Sequence, residues 1–254
     1  MRNGIVVALV VALLPTACGS TDGGRAPAGS IEGVLLVSAA ASLTDALGEI
    51  EAAFEAVYPD VDVVLNVAAS SALREQIIEG APADVFASAN TSNMDKVVDA
   101  GEVAGDPTVF TMNLLQIAVP EGNPAGIAGL EDFSREEILI GLCAEAVPCG
   151  DFARVALSEA GVTPAIDTNE PDVRALLTKI ELGELDAAIT YVTDVASTDR
   201  VDGVDIPIEQ NVVTAYPIAV LAGAPNPAAA EAFVAFVLAD GAQAILSRYS
   251  FTEP

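Results

Sequence analysis

Histidine is absent from this 254-residue chain, and lysine occurs only at Lys96 and Lys179. Without imidazole, zinc and haem lack their commonest nitrogen ligand, and a serine nucleophile lacks its usual activating base. Lysine and arginine together number ten against 37 acidic residues, a formal charge of −27, which argues against nucleic acid and anionic membrane surfaces as partners. No GxGxxG, Walker A or HExxH pattern occurs, so nucleotide binding and zinc-protease chemistry have no support. Asp45, Asp84, Asp151, Asp172 and Asp194 are the carboxylates that could act as bases, but a helix cap or turn accounts for each. An enzyme is therefore not expected, nor is a cofactor.

Long apolar runs are also missing. The longest near the start, Ile5 to Leu14, has ten residues, whereas a membrane-spanning helix needs about 20. It follows Arg2 and precedes the small residues Thr16 and Ala17, the layout of a signal peptide over residues 1–17. LPTAC resembles a bacterial lipobox, with Pro15 where an aliphatic residue is usual, and makes Cys18 the expected lipidation site. Ordinary secretion with Cys18 discarded is the alternative. Residues 18–30 are rich in Gly, Ser and Pro without apolar periodicity, so a flexible tether is expected and the folded body starts near Ile31. Every later apolar run is broken by charge, Pro or Gly, and the body is expected to be soluble, with the membrane reached only through the lipid.

Cysteine is scarce: beyond Cys18 there are only Cys143 and Cys149, in GLCAEAVPCG. In an exported chain without histidine this pair reads as a disulfide rather than a metal site. Its expected use is to stiffen the turn that ends at Cys149.

What the chain does have is alternation. GVLLVSAA, SLTDALGEIEAAFEAVYP, VDVVLNVAAS, SALREQIIEG and ADVFASA read as strand, helix, strand, helix, strand, the spacing of βαβ units around parallel sheet. A second series follows: the strand LLQIAVP, the helix-like SREEILIGL and DFARVALSEAG, a helix opened by Pro171 in NEPDVRALLTKIELGE, and the strand AAITYVT. YPIAVLAG then reads as a strand and AAAEAFVAFVLADGAQAILSRY as one or two helices. Two α/β series with a late return predict two lobes, each a mostly parallel sheet flanked by helices, with a ligand cleft between them at the strands' carboxyl ends.

Three strand-to-helix junctions stand out: Ser42 before LTDAL, Ser70 and Ser71 before ALREQI, and Pro171 before Asp172 and Val173. A helix start leaves backbone N–H groups unpaired, so each serine is either a cap or an anion ligand. Ser42 with Asp45 has the spacing of a capping box. Val173 could offer only its N–H.

The stretches AAASLTDAL, AASSALREQIIEGAPADVFASAN, LCAEAVPCGDFAR, PDVRALL and ITYVTD, with the ending AQAILSRYSF, closely resemble the periplasmic molybdate-binding proteins of ABC importers. The resemblance runs in order from about Ile31 to Phe251. It implies a type II solute-binding fold, with residues 31–110 and 218–254 as one lobe and 111–217 as the other. It also implies a tetrahedral oxyanion held without counter-charges. By motif position, Ser42 and Ser70 would offer hydroxyls and N–H groups, Ser71 would stay structural, Cys149 and Val173 would offer N–H groups, and Tyr191 its phenol. No side chain would touch the metal. The implied setting is extracytoplasmic, the implied partner a permease in the cytoplasmic membrane, and the expected state a monomer.

The chemistry suits a proton-free dianion, whose oxygens only accept. A wall of donors satisfies it, whereas hydrogen phosphate would bury an unpaired proton at a cost of about 1–3 kcal/mol. Sulfate is excluded only by size, and tungstate is expected to bind. With no titrating group expected in the pocket, affinity is expected to be flat between about pH 6 and 8. The rival readings are a sulfate- or tungstate-specific binder, a phosphate or sulfate ester hydrolase, and a surface adhesion lipoprotein in which Tyr191 is core packing.

Overall fold

A computed structural model describes Met1 and residues 31–254. The expected signal peptide, tether and Cys18 lipidation lie outside the described residues. β1 (Gly33–Ala40) is a nearly continuous apolar run ending in small residues, the pattern of a strand covered on both faces. A 3₁₀ turn (Ala41–Leu43) leads into α1 (Thr44–Val57), whose buried Ala46, Leu47, Ile50 and Phe54 recur at helical spacing. The step repeats through β2 (Val61–Ala68), α2 (Ser70–Ile78), β3 (Val85–Ala87) and α3 (Thr91–Asp99).

The long strand β4 (Thr108–Pro120) opens a second series. It comprises β5 (Ile140–Cys143), α4 (Pro148–Glu159), β6 (Thr168–Glu170), α5 (Val173–Glu181), β7 (Ala187–Tyr191), the single turn α6 (Val192–Val195) and β8 (Val201–Asp205). β9 (Val213–Val220), α7 (Pro227–Val237) and α8 (Asp240–Arg248) close the chain.

The strand order is β2-β1-β3-β9-β4-β7-β5-β6, with β8 beside β4. Two parallel blocks, β2-β1-β3 and β7-β5-β6, are joined through antiparallel β9 and β4. β4 is shared: Thr108 to Leu114 pair with β9, then Leu115 to Ala118 with β7. The apolar core divides accordingly. One cluster gathers Leu115 through Ile206, joined by Ala41 and Ala69; the others take Leu35 to Phe110 and Tyr216 to Phe251. In the first block, Phe54 of α1 meets Phe233 and Phe236 of α7 edge-on, with centroids 5.2 and 5.4 Å apart, pairs that contribute about 0.5–1.5 kcal/mol each beyond area burial. This is the two-lobed, mostly parallel α/β architecture expected from the sequence.

Three local expectations fail. The helix-like SREEILIGL divides into the end of a 3₁₀ turn (Leu130–Ser134) and β5, because Ile140 and Leu142 are fully buried where β5 enters the ladder between β6 and β7. Pro171 does not open α5. Asp172 caps that helix by accepting the Ala175 N–H at 2.9 Å, so Val173 is its first residue. Ser42 and Asp45 form no capping box: the residue before α1 is Leu43, without a side-chain cap, and Asp45 faces Arg174 instead.

Candidate ligand-binding site

Ser42, Ser70, Cys149, Val173 and Tyr191, far apart in sequence, line one cavity. All five are buried. Ser42 follows β1, Ser70 follows β2, Cys149 lies beyond β5, Val173 follows β6 and Tyr191 ends β7, so the carboxyl ends of both parallel blocks point at one place.

Helix starts account for the backbone contribution. Ser42 lies in the 3₁₀ turn that leads into α1, Ser70 is the first residue of α2, Cys149 the second of α4 after Pro148, and Val173 the first of α5. First-turn N–H groups have no intrahelical acceptor, and each start carries partial positive charge. Four such starts on one cavity make it attractive to an anion in a chain whose formal charge is −27.

The hydroxyls are also disposed to donate. Ser70 Oγ accepts the Ala89 N–H at 2.9 Å, which leaves its own proton free. The Tyr191 hydroxyl is buried without a hydrogen-bond partner, although it lies on the cavity wall. Burial pushes that phenol well above its ordinary range, so it stays protonated and able to donate. Ser42 Oγ lies 2.9 Å from Tyr216 Oη. Among the described residues, neither serine hydroxyl is bonded to a carboxylate or an amine. Ser71 is buried beside Ser70 but does not line the cavity.

The expected disulfide is present between Cys143, the last residue of β5, and Cys149 in the first turn of α4, with Cα atoms 5.8 Å apart. It pins the helix start that carries the Cys149 amide to the end of a core strand. The fit there is tight, since a side chain at Gly150 would collide with the carbonyl oxygens of Ala144 and Cys143.

The surroundings are more charged than the sequence suggested. Asp172 stands on the cavity wall, where a lining of donors alone was expected, with one oxygen committed to capping α5. Asp194, in α6 just beyond Tyr191, is fully buried and accepts the Tyr191 N–H at 3.2 Å. Burial raises its carboxyl to about 6, against the opposing pull of Arg174 and of the Tyr191 N–H, so a titrating group does sit behind the pocket. Arg174 lies 3.8 Å from Asp194 and also meets Asp45, Ser197 at 2.8 Å and the Ala41 carbonyl at 3.4 Å. Of these groups only the Ala41 carbonyl belongs to a residue of the cavity lining.

Sequence reasoning passed over Tyr216, Asn113 and the bridging role of Arg174. Tyr216 looked like one more strand aromatic in YPIAVLAG, and nothing local reveals that β9 brings it to Ser42. Arg174 had one signal, its place beside Val173.

A family model described as "Bacterial extracellular solute-binding protein" matches residues 35–252. The molybdate-binding protein ModA of Mycobacterium tuberculosis H37Rv is 39% identical over 257 residues, spanning 100% of this chain and 98% of that protein. Among solved structures, the periplasmic molybdate-binding protein of Azotobacter vinelandii superposes with a TM-score of 0.75 at 18% identity, covering 87% of this chain and 99% of that one. The sulfate-binding protein SubI of M. tuberculosis H37Rv superposes at 0.79 with 20% identity, covering 87% and 86%. At those identities the two structures show the fold alone. The full-length relative and the match to residues 35–252 place this chain in the family of bacterial extracellular solute-binding proteins.

Proposed function

We propose that this chain captures molybdate, with tungstate as an equivalent ligand, outside the cytoplasmic membrane and delivers it to an ABC transporter permease. The observation that carries this reading is the convergence of four helix starts with Ser42, Ser70 and the unpartnered Tyr191 hydroxyl on one cavity. The 39% identity to a molybdate-binding protein supports the choice of oxyanion. Hydrogen bonds to a charged group contribute about 1.5–3 kcal/mol each, so several neutral donors hold a dianion without a cation in contact. Molybdate accepts at every oxygen. Asp172, the carboxylate on the wall, gives one oxygen to the Ala175 N–H as the helix cap.

The donors come from two lobes, residues 31–110 with 218–254 and residues 111–217. Ligand contacts to both shift the population toward a closed form that a permease can recognise. The carrier acts as a monomer, and a lipid on Cys18 holds it near the membrane. It binds without turnover, since the serines lack an activating base.

Melting curves with molybdate, tungstate, sulfate and phosphate at equal concentration test this. A ligand at 100 times its Kd adds about 2.7 kcal/mol of stability. Molybdate and tungstate raise the melting temperature strongly, while sulfate and phosphate do little. Equal stabilisation by sulfate, whose binder SubI shares the fold, overturns the molybdate assignment in favour of a sulfate carrier. Hydrolysis of a chromogenic phosphate or sulfate ester, abolished by Ser42→Ala, overturns the binding role.

A further inference from the structure

Behind Ser42 runs a buried chain of hydrogen bonds that does not itself line the cavity. Asn113 on β4 accepts the Leu114 N–H through Oδ1 at 2.9 Å. An N–H only donates, so the atom facing it is the oxygen, and the amide nitrogen Nδ2 points the other way. That nitrogen donates to Thr193 Oγ1 at 2.8 Å and to Tyr216 Oη at 3.4 Å. Tyr216 Oη in turn lies 2.9 Å from Ser42 Oγ. Asn113, Thr193, Tyr216 and Ser42 are all buried.

Donor bookkeeping gives this chain a direction. The Asn113 NH₂ cannot accept, so Tyr216 Oη accepts from it, and Ser42 Oγ, the other hydrogen-bond partner of that oxygen among the described residues, is where its single buried proton can go. The phenol keeps that proton, because burial raises it above its ordinary range. Ser42 Oγ is thereby an acceptor from Tyr216, and its own proton is left for the cavity. Ser70 is set the same way by the Ala89 N–H. In both serines one acceptor lone pair is occupied before any ligand arrives, and the hydroxyl proton is left over.

We propose that Tyr216, oriented by Asn113, fixes the Ser42 hydroxyl as a donor into the cavity and is thus a positioning residue that sets the preference for oxyanions carrying no proton. This rests on the oxyanion reading above and adds to it the device that enforces it. An anion that brings a proton, such as hydrogen phosphate, meets the Ser42 proton rather than a lone pair turned toward it. Without the Tyr216 hydroxyl, Ser42 can turn and accept.

The test is a double-mutant cycle between Tyr216→Phe and Ser42→Ala, read by calorimetric titration of the full chain with molybdate and with inorganic phosphate at neutral pH. Phenylalanine keeps the ring, which packs edge-on against Tyr191 and Phe251 at 6.2 and 5.6 Å. Tyr216→Phe is expected to weaken molybdate about tenfold, the size of one net hydrogen bond, while phosphate binding holds or improves. In the Ser42→Ala background the same substitution is expected to change molybdate affinity less than about twofold, because its target is gone. Equal loss in both backgrounds, or no loss in either, overturns the proposal. Asn113→Asp, which accepts the phenol proton and reverses the chain, provides a second cycle with the same expected coupling to Ser42. If the unaltered chain binds none of molybdate, tungstate and sulfate, the oxyanion reading itself falls. Intact binding without coupling removes only the role of Tyr216.

Discussion

Arg174, the residue after Val173, reaches from α5 to the carboxylate of Asp45 on α1, so an ion pair joins the two series of elements beside the cavity. Its other carboxylate neighbour, Asp194, is fully buried, whereas Asp45 is 44% exposed. The two partners should therefore differ sharply in energetic weight. Exposed pairs contribute about 0.2–1 kcal/mol, while removing the partner of a buried charge costs about 3–5 kcal/mol, less where the group can take up a proton. Arg174→Met is expected to destabilise the chain by about 2–3 kcal/mol in urea unfolding, and Asp45→Asn by less than about 1 kcal/mol. Equal effects would contradict this reading of Asp194.

Asp194 also predicts a pH dependence. Its carboxyl is raised from 3.8 to about 6, first by burial, with Asp172 adding to the rise and Arg174 and the Tyr191 N–H opposing it. The folded state therefore holds this proton more tightly than the unfolded state. The stabilising contribution is complete below the unfolded value, falls as pH rises from about 4 to 6, and is gone above that, a change of about 3 kcal/mol. Asp194→Asn is expected to remove this component from a urea-stability series across that range. Molybdate affinity should tighten as pH falls from 7 toward 6, since protonation removes a negative charge behind the pocket; a profile identical in Asp194→Asn would refute the assignment.

The amide of Val173 can be tested without touching a polar side chain. Val173 is the first residue of α5, where proline is tolerated, and Asp172 before it has the extended backbone that proline requires. Val173→Pro is expected to weaken molybdate by about 10- to 100-fold, one hydrogen bond to a charged group, while the helix persists in circular dichroism. Val173→Ala, which keeps the N–H, should cost stability but little affinity. The reverse pattern would remove Val173 from the ligand set.

The disulfide predicts a split between stability and binding. Closing the loop from Cys143 to Cys149 contributes about 2 kcal/mol on the chain-entropy model. Replacing both cysteines with serine should lower the melting temperature accordingly, yet change molybdate affinity less than about fivefold, because residue 149 would act through its amide. A loss of binding as large as that of Val173→Pro would mean that the sulfur atoms take part.

Much of this was legible in the sequence, for reasons that can be named. Apolar periodicity reports burial, so β1, α1 and β2 stood out. Ser42, Ser70 and Val173 follow strand-to-helix transitions, where short-range pattern marks a helix start. SREEILIGL misled because its apolar spacing also fits a helix, and only the ladder between β6 and β7 decides in favour of β5. Asp194 looked like a turn residue because burial by other elements leaves no trace in its neighbours. Tyr216 meets Ser42 from β9, 174 positions away, and Asn113 meets Tyr216 from β4, 103 positions away. No local signal spans that distance.

Anomalous diffraction from crystals of the molybdate complex, recorded at the molybdenum edge, locates the ion and the groups that hold it. One molybdenum peak is expected in the cavity, its oxygens within hydrogen-bond distance of the Ser42, Ser70 and Tyr191 hydroxyls and the Cys149 and Val173 amides, with no lysine or arginine nitrogen in contact. A peak seated on Arg174, or an empty cavity in crystals that hold the ion elsewhere, would contradict it.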